Sequence, residues 1–544
     1  MQRRHAVSAP AAIARPTAVA AFTGTAAFIG TAAFIAAAAF TAMVMAAALV
    51  TVAAPAAAEP PSISATATTP GLGPIGTATM HGDAASSDTT PNPGPGAGPI
   101  DSRYIPLGGA CPTILQGADG MPQALCTNII GREPVVHLLD PASGDQLASI
   151  TLAKGSLLGG VYAYIDDADR MVMVDGHGTL LRIGHHRGAD GAWQLAVDEA
   201  TPLADAITAH CGEPGCDAVN SLMPDTEGRV WLATGHGLVG VVDPATGTVS
   251  TTLLGTPDAP ETVANSISTA PRGTSVTTDH ATYLLIAGED GAPHVQWRQQ
   301  YDRGPARKPG QLSWGSGASP TFFGPADGDE YVVITDNAVP REHVIVYRTD
   351  DGSQVCSVPV FPSGASGTED SPIAAGRSIY VGSTYGYPYP ALPEGAGPAD
   401  PPAAPIAGGM ARIDLTDDGA GCTLVWENDV RSAAVPRLSL ADDTIYTITR
   451  DPLFPDAAGS LGGAGSVGDP ASAGGSAMPG PDMLVGLADS YHYTAIDADS
   501  GAVRAQQHVG STAVFDTLEM VGTITPDRVM YQGTITGVLR IAPQ

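Results

Sequence analysis

Short apolar runs that each end in a tight turn recur along most of the chain. In the clearest copies the turn reads Asp-x-x-[Ser/Thr]-Gly, at positions 140–144, 243–247 and 497–501, and weaker copies occupy 346–352 and 412–419. Asp, Ser and Thr bond to the local backbone while Gly accepts a positive φ. Each copy therefore predicts a β-hairpin.

A second recurring strand precedes these hairpins and ends in small or polar residues, at 171–177, 230–236, 331–337, 379–384, 445–449 and 529–533. The repeats are about 45–80 residues long, within and above the range of four-stranded propeller blades. A β-sandwich is the alternative all-β fold, but it gives no reason for the same strand–turn–strand sequence to recur along the chain. We therefore predict an all-β protein in which residues 106–544 form a β-propeller of seven or eight blades, with both ends of the region closing the ring.

The first 58 residues read as an export segment. Arg3, Arg4 and Arg15 form a basic region, and the apolar stretch that follows ends in Ala-Ala-Ala at 56–58, a site of the kind that signal peptidase cuts. The stretch is also long enough to span a bilayer. A cleaved signal peptide and a retained membrane anchor both stay open, and both place the remaining chain outside the cytoplasm, secreted or at the cell surface.

Residues 59–105 are rich in Pro, Gly, Ser, Thr and Ala. Such a segment buries too little apolar surface to offset its ordering entropy, so we expect a disordered linker. Two similar stretches, 390–405 and 456–481, are expected to be insertions that project from the surface between β-strands.

The net charge of the 544-residue chain is −30. An acidic surface repels phosphate backbones and anionic headgroups, which argues against nucleic acid and limits membrane contact to an uncleaved N-terminal segment. The ligand classes that this charge leaves open are a cation, a polar small molecule, a sugar, a peptide and a partner protein.

All six cysteines follow the export segment: Cys111, Cys126, Cys211, Cys216, Cys356 and Cys422. An even number in an oxidising compartment predicts disulfides, and no Cys-x-x-Cys suggests zinc. Proximity in sequence pairs the first two and the next two, which leaves Cys356 with Cys422. Because these two lie in candidate outer strands of consecutive repeats, their disulfide is predicted to join neighbouring blades.

The repeated sequence, an apolar strand followed by an Asp-x-x-[Ser/Thr]-Gly turn and a second strand, resembles the repeats of the quinoprotein-like propellers. These are bacterial proteins with pyrroloquinoline-quinone-type (PQQ-type) repeats, and the resemblance covers roughly residues 135–541. The resemblance implies the fold, because many members bind no quinone. The family's docking motif has a Trp four residues after the Gly, where this chain has Thr251 and Ala505. The adjacent cysteine pair of the quinone-using alcohol dehydrogenases is absent as well. PQQ is therefore not expected as a cofactor.

Small polar residues recur just before the predicted innermost strands. In a propeller these positions lie at one mouth of the central channel, so we expect a gathering there of Asn220, Asn265, Glu369 and Asp370, with Asp336 and Asn337 as second candidates. Converging oxygen atoms suit a hard cation such as Ca²⁺, for which Glu369 and Asp370 are the candidate ligands, or a polar ligand. Alternatively, these residues cap turns through local backbone bonds.

Three tyrosines crowd one Pro/Gly loop, at positions 385, 387 and 389, in a chain with only 5% aromatic residues. An exposed tyrosine offers contact area and a hydroxyl, so Tyr385 and Tyr387 are candidate ligand contacts. The alternative is that they pack over the adjacent insertion.

Three functions follow as hypotheses. The first is a secreted or surface-tethered binding propeller with a polar ligand or cation site at the channel mouth. The second is a metal-assisted hydrolase, lactonase or lyase built around an ion at that mouth, and the third is a quinone-dependent dehydrogenase. The sequence carries no complete catalytic motif, which favours the first.

Overall fold

The computed structural model describes residues 69–155, 161–256, 258–393, 395–452 and 489–544. The export segment 1–58 and the insertion 456–481 lie outside these residues. No described helix is long and apolar enough to cross a membrane.

The described residues form eight blades of four strands each, and in blades VII and VIII a fifth short strand extends the sheet at its inner edge. This confirms the predicted fold class and gives eight as the number of blades. Two short strands precede blade I, β1 (Thr89–Thr90) and β2 (Ile100–Pro106). Blade I contains β3–β6 (Gly109–Gln116, Pro122–Asn128, Pro134–Leu139, Gln146–Thr151). Blade II contains β7–β10 (Tyr164–Ile165, Met171–Val174, Thr179–Arg187, Trp193–Pro202).

Helix α1 (Ala204–Cys211) leads to blade III, which contains β11–β14 (Val219–Pro224, Val230–Thr234, Leu238–Val242, Val249–Leu253). After a hairpin of β15 (Gly255–Thr256) and β16 (Ala259–Pro260), blade IV contains β17–β20 (Ser268–Ala270, Gly273–Thr277, Ala281–Ala287, Pro293–Gln300). Blade V contains β21–β24 (Thr321–Phe323, Tyr331–Thr335, Glu342–Arg348, Gln354–Val360).

Blade VI contains β25–β28 (Ile373–Ala375, Ser378–Gly382, Met410–Leu415, Cys422–Asn428), followed by β29 (Ala434–Val435). Blade VII contains β30–β33 (Arg437–Ser439, Thr444–Asp451, Ser490–Asp497, Val503–Ser511). A 3-10 turn (Ala513–Phe515) leads to blade VIII, with β34–β36 (Met520–Ile524, Met530–Thr534, Gly537–Pro543).

The fourth strand of blade VIII comes from the other end of the domain. Strand β2 pairs antiparallel with β36, from Ile100 opposite Pro543 to Pro106 opposite Gly537. The two ends therefore close the ring together, as predicted, although the closing strand lies in the segment assigned to the linker.

Residues 77–90, which we call the strap, fill the central channel. All of their side chains are buried, and their carbonyl groups accept backbone hydrogen bonds from the innermost strands of six blades. The donors are the amides of Gln116, Ile165, Thr269, Phe322, Ala374 and Leu438, at 2.7–3.1 Å. At its end, β1 pairs in parallel with β30.

The strap enters and leaves through the same face of the propeller. Before it, Pro70 lies beside Gly228, in the turn between the first two strands of blade III. After it, the Gly94 amide donates to Asp442 at 3.0 Å, in the corresponding turn of blade VII. The strap is thus a loop inserted from this lower face. Its Met80 packs against Val161 and Val435, which precede the first strands of blades II and VII.

The expectation of disorder is therefore wrong for residues 69–105. Except in blade VIII, where β34 pairs with β29, the blades supply no partner for the inner edge of their innermost strand, and buried N–H groups need acceptors. The strap supplies backbone carbonyls in a space that admits small Ala, Ser and Thr side chains. Its order comes from backbone hydrogen bonds, which a composition rule based on apolar burial does not count.

Three disulfides are present, Cys111–Cys126, Cys211–Cys216 and Cys356–Cys422, as predicted. Cys356 lies in β24 and Cys422 in β28, the outer strands of blades V and VI. The third disulfide therefore joins neighbouring blades where they are most exposed to solvent.

A glycine pair tests the position of the strap. Gly71 and Gly82 both have positive φ, but an added Cβ meets nothing within 4 Å at Gly71, whereas at Gly82 it would lie 2.2 Å from the Thr89 carbonyl oxygen. We expect Gly71→Ala to cost about 1–2 kcal/mol and Gly82→Ala to cost at least about 2 kcal/mol more. If the two variants lose the same free energy of unfolding in denaturant, the strap is not enclosed in the channel.

A second comparison tests the disulfide between blades. Cys356 and Cys422 are 66 residues apart, against five for Cys211 and Cys216. On the chain-entropy model, the double alanine variant of the long loop should lose about 2 kcal/mol more stability than that of the short loop. Thermal unfolding of both variants measures this difference, and a free thiol at either position of the long loop in alkylated, non-reduced peptide maps would argue against the pairing.

Candidate functional site

The mouth opposite the strap's entry lies at the upper face, where the first strand of each blade begins and the second ends. In blade III, for example, Val219 pairs with Thr234, so the start of β11 and the end of β12 share this edge. The segments that precede the first strands converge here from all eight blades. Polar residues at these positions can therefore meet although they are far apart in sequence.

Side chains from three blades form a hydrogen-bonded chain across this mouth. Tyr162, which precedes blade II, donates its hydroxyl to Asn265 Oδ1 at 2.9 Å. Asn265, which precedes blade IV, donates through Nδ2 to the Gly317 carbonyl and to Glu369 Oε1, the latter at 3.3 Å. Two of the four residues expected to gather, Asn265 and Glu369, are thus in direct contact.

Glu369 is well supplied with hydrogen bonds. Besides Asn265, the Leu312 amide donates to its Oε2 at 3.0 Å. Burial raises the pKa of Glu369 to about 8, although these bonds and the charge of Arg307 oppose the rise. Through these hydrogen bonds Glu369 connects the segments that precede the first strands of blades IV, V and VI.

Asp370, beside it, is in a different situation. Its side chain is 2% exposed, and neither carboxylate oxygen has a hydrogen-bond partner. Burial raises its pKa well above the usual value, and the charges of Asp88 and Glu369 raise it further. An ionised carboxylate in this position is strongly disfavoured unless a positive charge joins it.

Glu519 resembles Asp370 in its burial and directly precedes the first strand of blade VIII, whereas Asp370 lies three residues before that of blade VI. It is 8% exposed, and both carboxylate oxygens lack a partner. Burial, followed by the charges of Asp370 and Asp516, raises its pKa well above the usual value. Leu518 and Glu519 both have a φ of 52°, a conformation that non-glycine residues adopt at a cost of about 1–3 kcal/mol each.

Glu519 and Tyr162 were not predicted from the sequence. Asp370 stood out as part of a small polar pair before a predicted innermost strand, whereas the strand that follows Glu519, β34, was not among the predicted strands. Tyr162 lacked such a signal, since an isolated tyrosine before a strand is commonly a packing residue.

Asn220 takes no part in the chain across the mouth. It is 6% exposed and donates through Nδ2 to the Val263 carbonyl oxygen at 2.5 Å, which ties blade III to the segment before blade IV. Asn220 therefore neither joins the predicted gathering nor caps a local turn, since its partner lies 43 residues along the chain.

Asp336 and Asn337 also hold loops together. Asp336 accepts hydrogen bonds from the amides of Ala338 and His343 and lies 2.9 Å from His343 Nδ1. Asn337 donates to the carbonyl oxygens of Arg303 and Ala306 at 2.8 and 2.9 Å. Both residues lie on the upper face, but their hydrogen bonds are local to the loops of blades IV and V.

The tyrosine loop does not form an exposed contact surface, which corrects that expectation. Tyr385 and Tyr387 are 7% and 3% exposed. The Tyr387 hydroxyl donates to Asp516, and its ring lies beneath Arg450 at 5.4 Å. The Tyr387 ring packs with Ala433, Ala434 and Tyr491, whereas the Tyr385 ring lies beside Gly367, before blade VI. The adjacent insertion 390–405 has mostly exposed side chains where it is described.

A Ser–His–Asp cluster beneath the mouth is not arranged as a catalytic relay. His81 of the strap places Nδ1 3.0 Å from Asp88, and Ser371 lies 3.1 Å from the same nitrogen. A relay needs the serine at one ring nitrogen and the carboxylate at the other. Arg437, fully buried, approaches Asp88 at 3.7 Å, so the cluster anchors the strap.

No group of three or more His, Cys, Asp or Glu side chains that could hold a metal ion occurs within the ranges that the structure describes. Glu369 and Asp370 therefore do not form part of a multi-carboxylate metal cage. The acids with free oxygens at the mouth are Asp370 and Glu519, which come from different blades.

No family model and no curated protein matches the sequence. Among solved structures, BamB from Moraxella catarrhalis is 13% identical, over 69% of this chain and 93% of that chain, with a TM-score of 0.37. The quinohemoprotein alcohol dehydrogenase from Comamonas testosteroni is 13% identical, over 85% of this chain and 79% of that chain, with a TM-score of 0.45. A europium-containing methanol dehydrogenase is 10% identical, over 85% of this chain and 98% of that chain, with a TM-score of 0.48. The propeller that the resemblance to quinoprotein-like proteins implies is present in the described sheets of the chain itself.

Glu342 gives the folded protein a pH-dependent stability. It is fully buried, 3.8 Å from Lys308 Nζ, and burial raises its pKa from 4.5 to about 8. Because the unfolded carboxyl loses its proton first, its contribution to stability is full below pH 4.5 and is lost as pH rises toward 8. Glu342→Gln should reduce the decline in unfolding free energy between pH 5 and 8, by at most about 1.4 kcal/mol per pH unit.

Urea unfolding at pH 5, 6, 7 and 8 measures this slope. The control is Glu227→Gln, which changes a side chain that is 69% exposed and should leave the wild-type slope in place. A Glu342→Gln slope equal to that of the wild type would show that the buried carboxyl ionises without cost.

Proposed function

We propose that the protein is an extracytoplasmic binding propeller that takes a polar ligand at its upper mouth. The observation that carries the proposal is the chain from Tyr162 through Asn265 to Glu369, which brings polar groups of three blades to the channel axis. The lower part of the channel is filled by the strap, so the upper mouth is the end open to a ligand. The three disulfides support an oxidising compartment.

A shallow cleft on the rim of this mouth supplies a contact surface. It is lined by Asn265, Asp279, Ser316 and Trp314, and the Trp314 ring is 39% exposed. Arg303 covers one face of that ring at 3.8 Å. An aromatic ring beside amide and carboxylate groups suits a neutral saccharide, which stacks on the ring and bonds to the polar groups. A basic peptide is the second class that an acidic surface admits.

The experiment titrates the purified protein with neutral mono- and disaccharides, and separately with a hexa-arginine peptide, by isothermal titration calorimetry. We expect saturable saccharide binding that Trp314→Ala weakens at least about tenfold, since hot-spot aromatic residues contribute about 2 kcal/mol or more. Trp193→Ala is the matched control, because that ring is also covered by an arginine, Arg187 at 4.0 Å, but lies on the outer strand β10.

Two results would count against this function. One is the absence of heat with both probe classes, and the other is equal weakening by Trp314→Ala and Trp193→Ala. Binding of the peptide alone, lost in Trp314→Ala, would keep the site and change the ligand class.

A further inference from the structure

The Trp314 ring at the rim of the upper mouth is held by the backbone of its neighbours. Its Nε1 donates to the carbonyl oxygens of Arg303 and Gly304 at 3.0 and 3.2 Å. Asn337 donates to the same Arg303 carbonyl at 2.8 Å. The Arg303 guanidinium, which lies 3.8 Å from the centre of the ring, takes no part in these bonds. The guanidinium can therefore leave the ring while the ring stays in place.

Two side chains of one turn, Asp279 and His280, hold that guanidinium, and we call them the clamp. Arg303 Nη2 donates to Asp279 Oδ2 at 3.0 Å, and Nη1 donates to His280 Nε2 at 2.6 Å. The third nitrogen, Nε, is buried and has no hydrogen-bond partner among the residues that the structure describes. Asp279 is itself anchored, because its Oδ1 accepts the Thr262 amide at 2.8 Å. The clamp thus keeps Arg303 over Trp314.

The bond between Arg303 and His280 requires a neutral histidine. A guanidinium has donors and no acceptor, so the Nε2 that receives its N–H must carry a lone pair. The proton of the neutral ring is then on Nδ1, which lies 3.0 Å from Asp279 Oδ1. A proton added to Nε2 sets two donors and two positive charges against each other at 2.6 Å. Arg303 regains more rotamer freedom on release than His280 does, so Arg303 is the group that leaves.

Other titratable groups beside the clamp are engaged elsewhere. In the segment before blade IV, Glu261 is 5% exposed and pairs with Arg298 at 2.6 Å. On the side of Arg303, Tyr301 donates its hydroxyl to a backbone carbonyl next to the clamp, and Asp302 accepts a backbone amide of its own loop at 2.9 Å. None of the three is bonded to His280 in the part of the chain that the structure describes.

We propose that the clamp is a pH-dependent cover of the ligand site, in which neutral His280 holds Arg303 over Trp314 and protonated His280 releases it. Histidine changes charge between about pH 5 and pH 8, so the face under Arg303 opens as the medium becomes acidic. A cation over an exposed aromatic face is worth about a two- to fivefold factor in an equilibrium constant. A saccharide that stacks on this face has to displace Arg303. The inference rests on the proposed function for this step, and saccharide binding should tighten about two- to fivefold from pH 8 to pH 5.

The first measurement needs no ligand. Tryptophan emission of the full chain is quenched with acrylamide, a neutral quencher, at pH 8, 7, 6 and 5, and the difference from a Trp314→Phe counterpart isolates Trp314. Its quenching should rise as the pH falls. In His280→Gln it should stay at the pH 8 value, because the amide offers Arg303 an uncharged acceptor at every pH. In Arg303→Ala it should be high throughout.

His294→Gln is the matched control. His294 lies 2.9 Å from Asp290, as His280 lies beside Asp279, but it is bonded to no arginine among the described residues. This variant should keep the wild-type pH dependence of quenching. Calorimetric titration with the neutral mono- and disaccharides at pH 8 and pH 5 then measures the affinity, which should change with pH in the wild type and in His294→Gln and stay constant in His280→Gln.

The inference is overturned if Trp314 is quenched equally at pH 5 and pH 8 in the wild type, or if the pH dependence persists in His280→Gln. A ring that opens while saccharides bind equally well at both pH values would refute the link between the clamp and the ligand. By contrast, a ring that opens in a protein that binds no saccharide at either pH would uphold the clamp and refute the proposed function.

Discussion

The inner edges of the blades impose the constraint on which the rest of the structure depends. Except for β34 of blade VIII, which pairs with β29, the innermost strands find no hydrogen-bond acceptor for their channel-side amides within the blades, and an unpaired buried amide costs about 1–3 kcal/mol. The strap meets this need with six carbonyl groups. Most of its side chains are small, because its own Met80 and His81 and the buried Arg437 of blade VII occupy much of the space in the channel.

The strap also determines the electrostatics of the mouth. Asp88 is paired with His81 and faces Arg437, yet its charge contributes to the raised pKa of Asp370. Met80, beneath Tyr162 and Val161, closes the channel from below. The mouth is therefore a blind recess whose floor comes from residues that precede the first blade. A change in the strap would alter the site although no strap residue lies on the upper face.

The repeat pattern was sufficient to predict the fold, and it brought Asn265 and Glu369 together because equivalent positions of a closed ring converge on its axis. The disulfide pairs followed instead from the spacing of the cysteines. The convergence argument did not separate ligand positions from positions that bond to backbone, since Asn220 and Asp336 occupy similar positions and bond to backbone groups. Tyr385 and Tyr387 were misplaced because burial of a loop depends on the loops beside it. The order of the strap could not be predicted from its composition, because it arises from hydrogen bonds to strands far away in sequence.

The blades of this propeller differ in the residues that precede their first strands. Blades VI and VIII carry buried acids there, Asp370 and Glu519, whose carboxylate oxygens have no hydrogen-bond partner, and blade VII between them carries alanines. Ala433 and Ala434 are fully buried, so this segment leaves no room for a lysine that could neutralise either acid. The chain also accepts a left-handed conformation at Glu519. Burial raises the pKa of both acids well above the usual value, so the folded protein favours the protonated form of each.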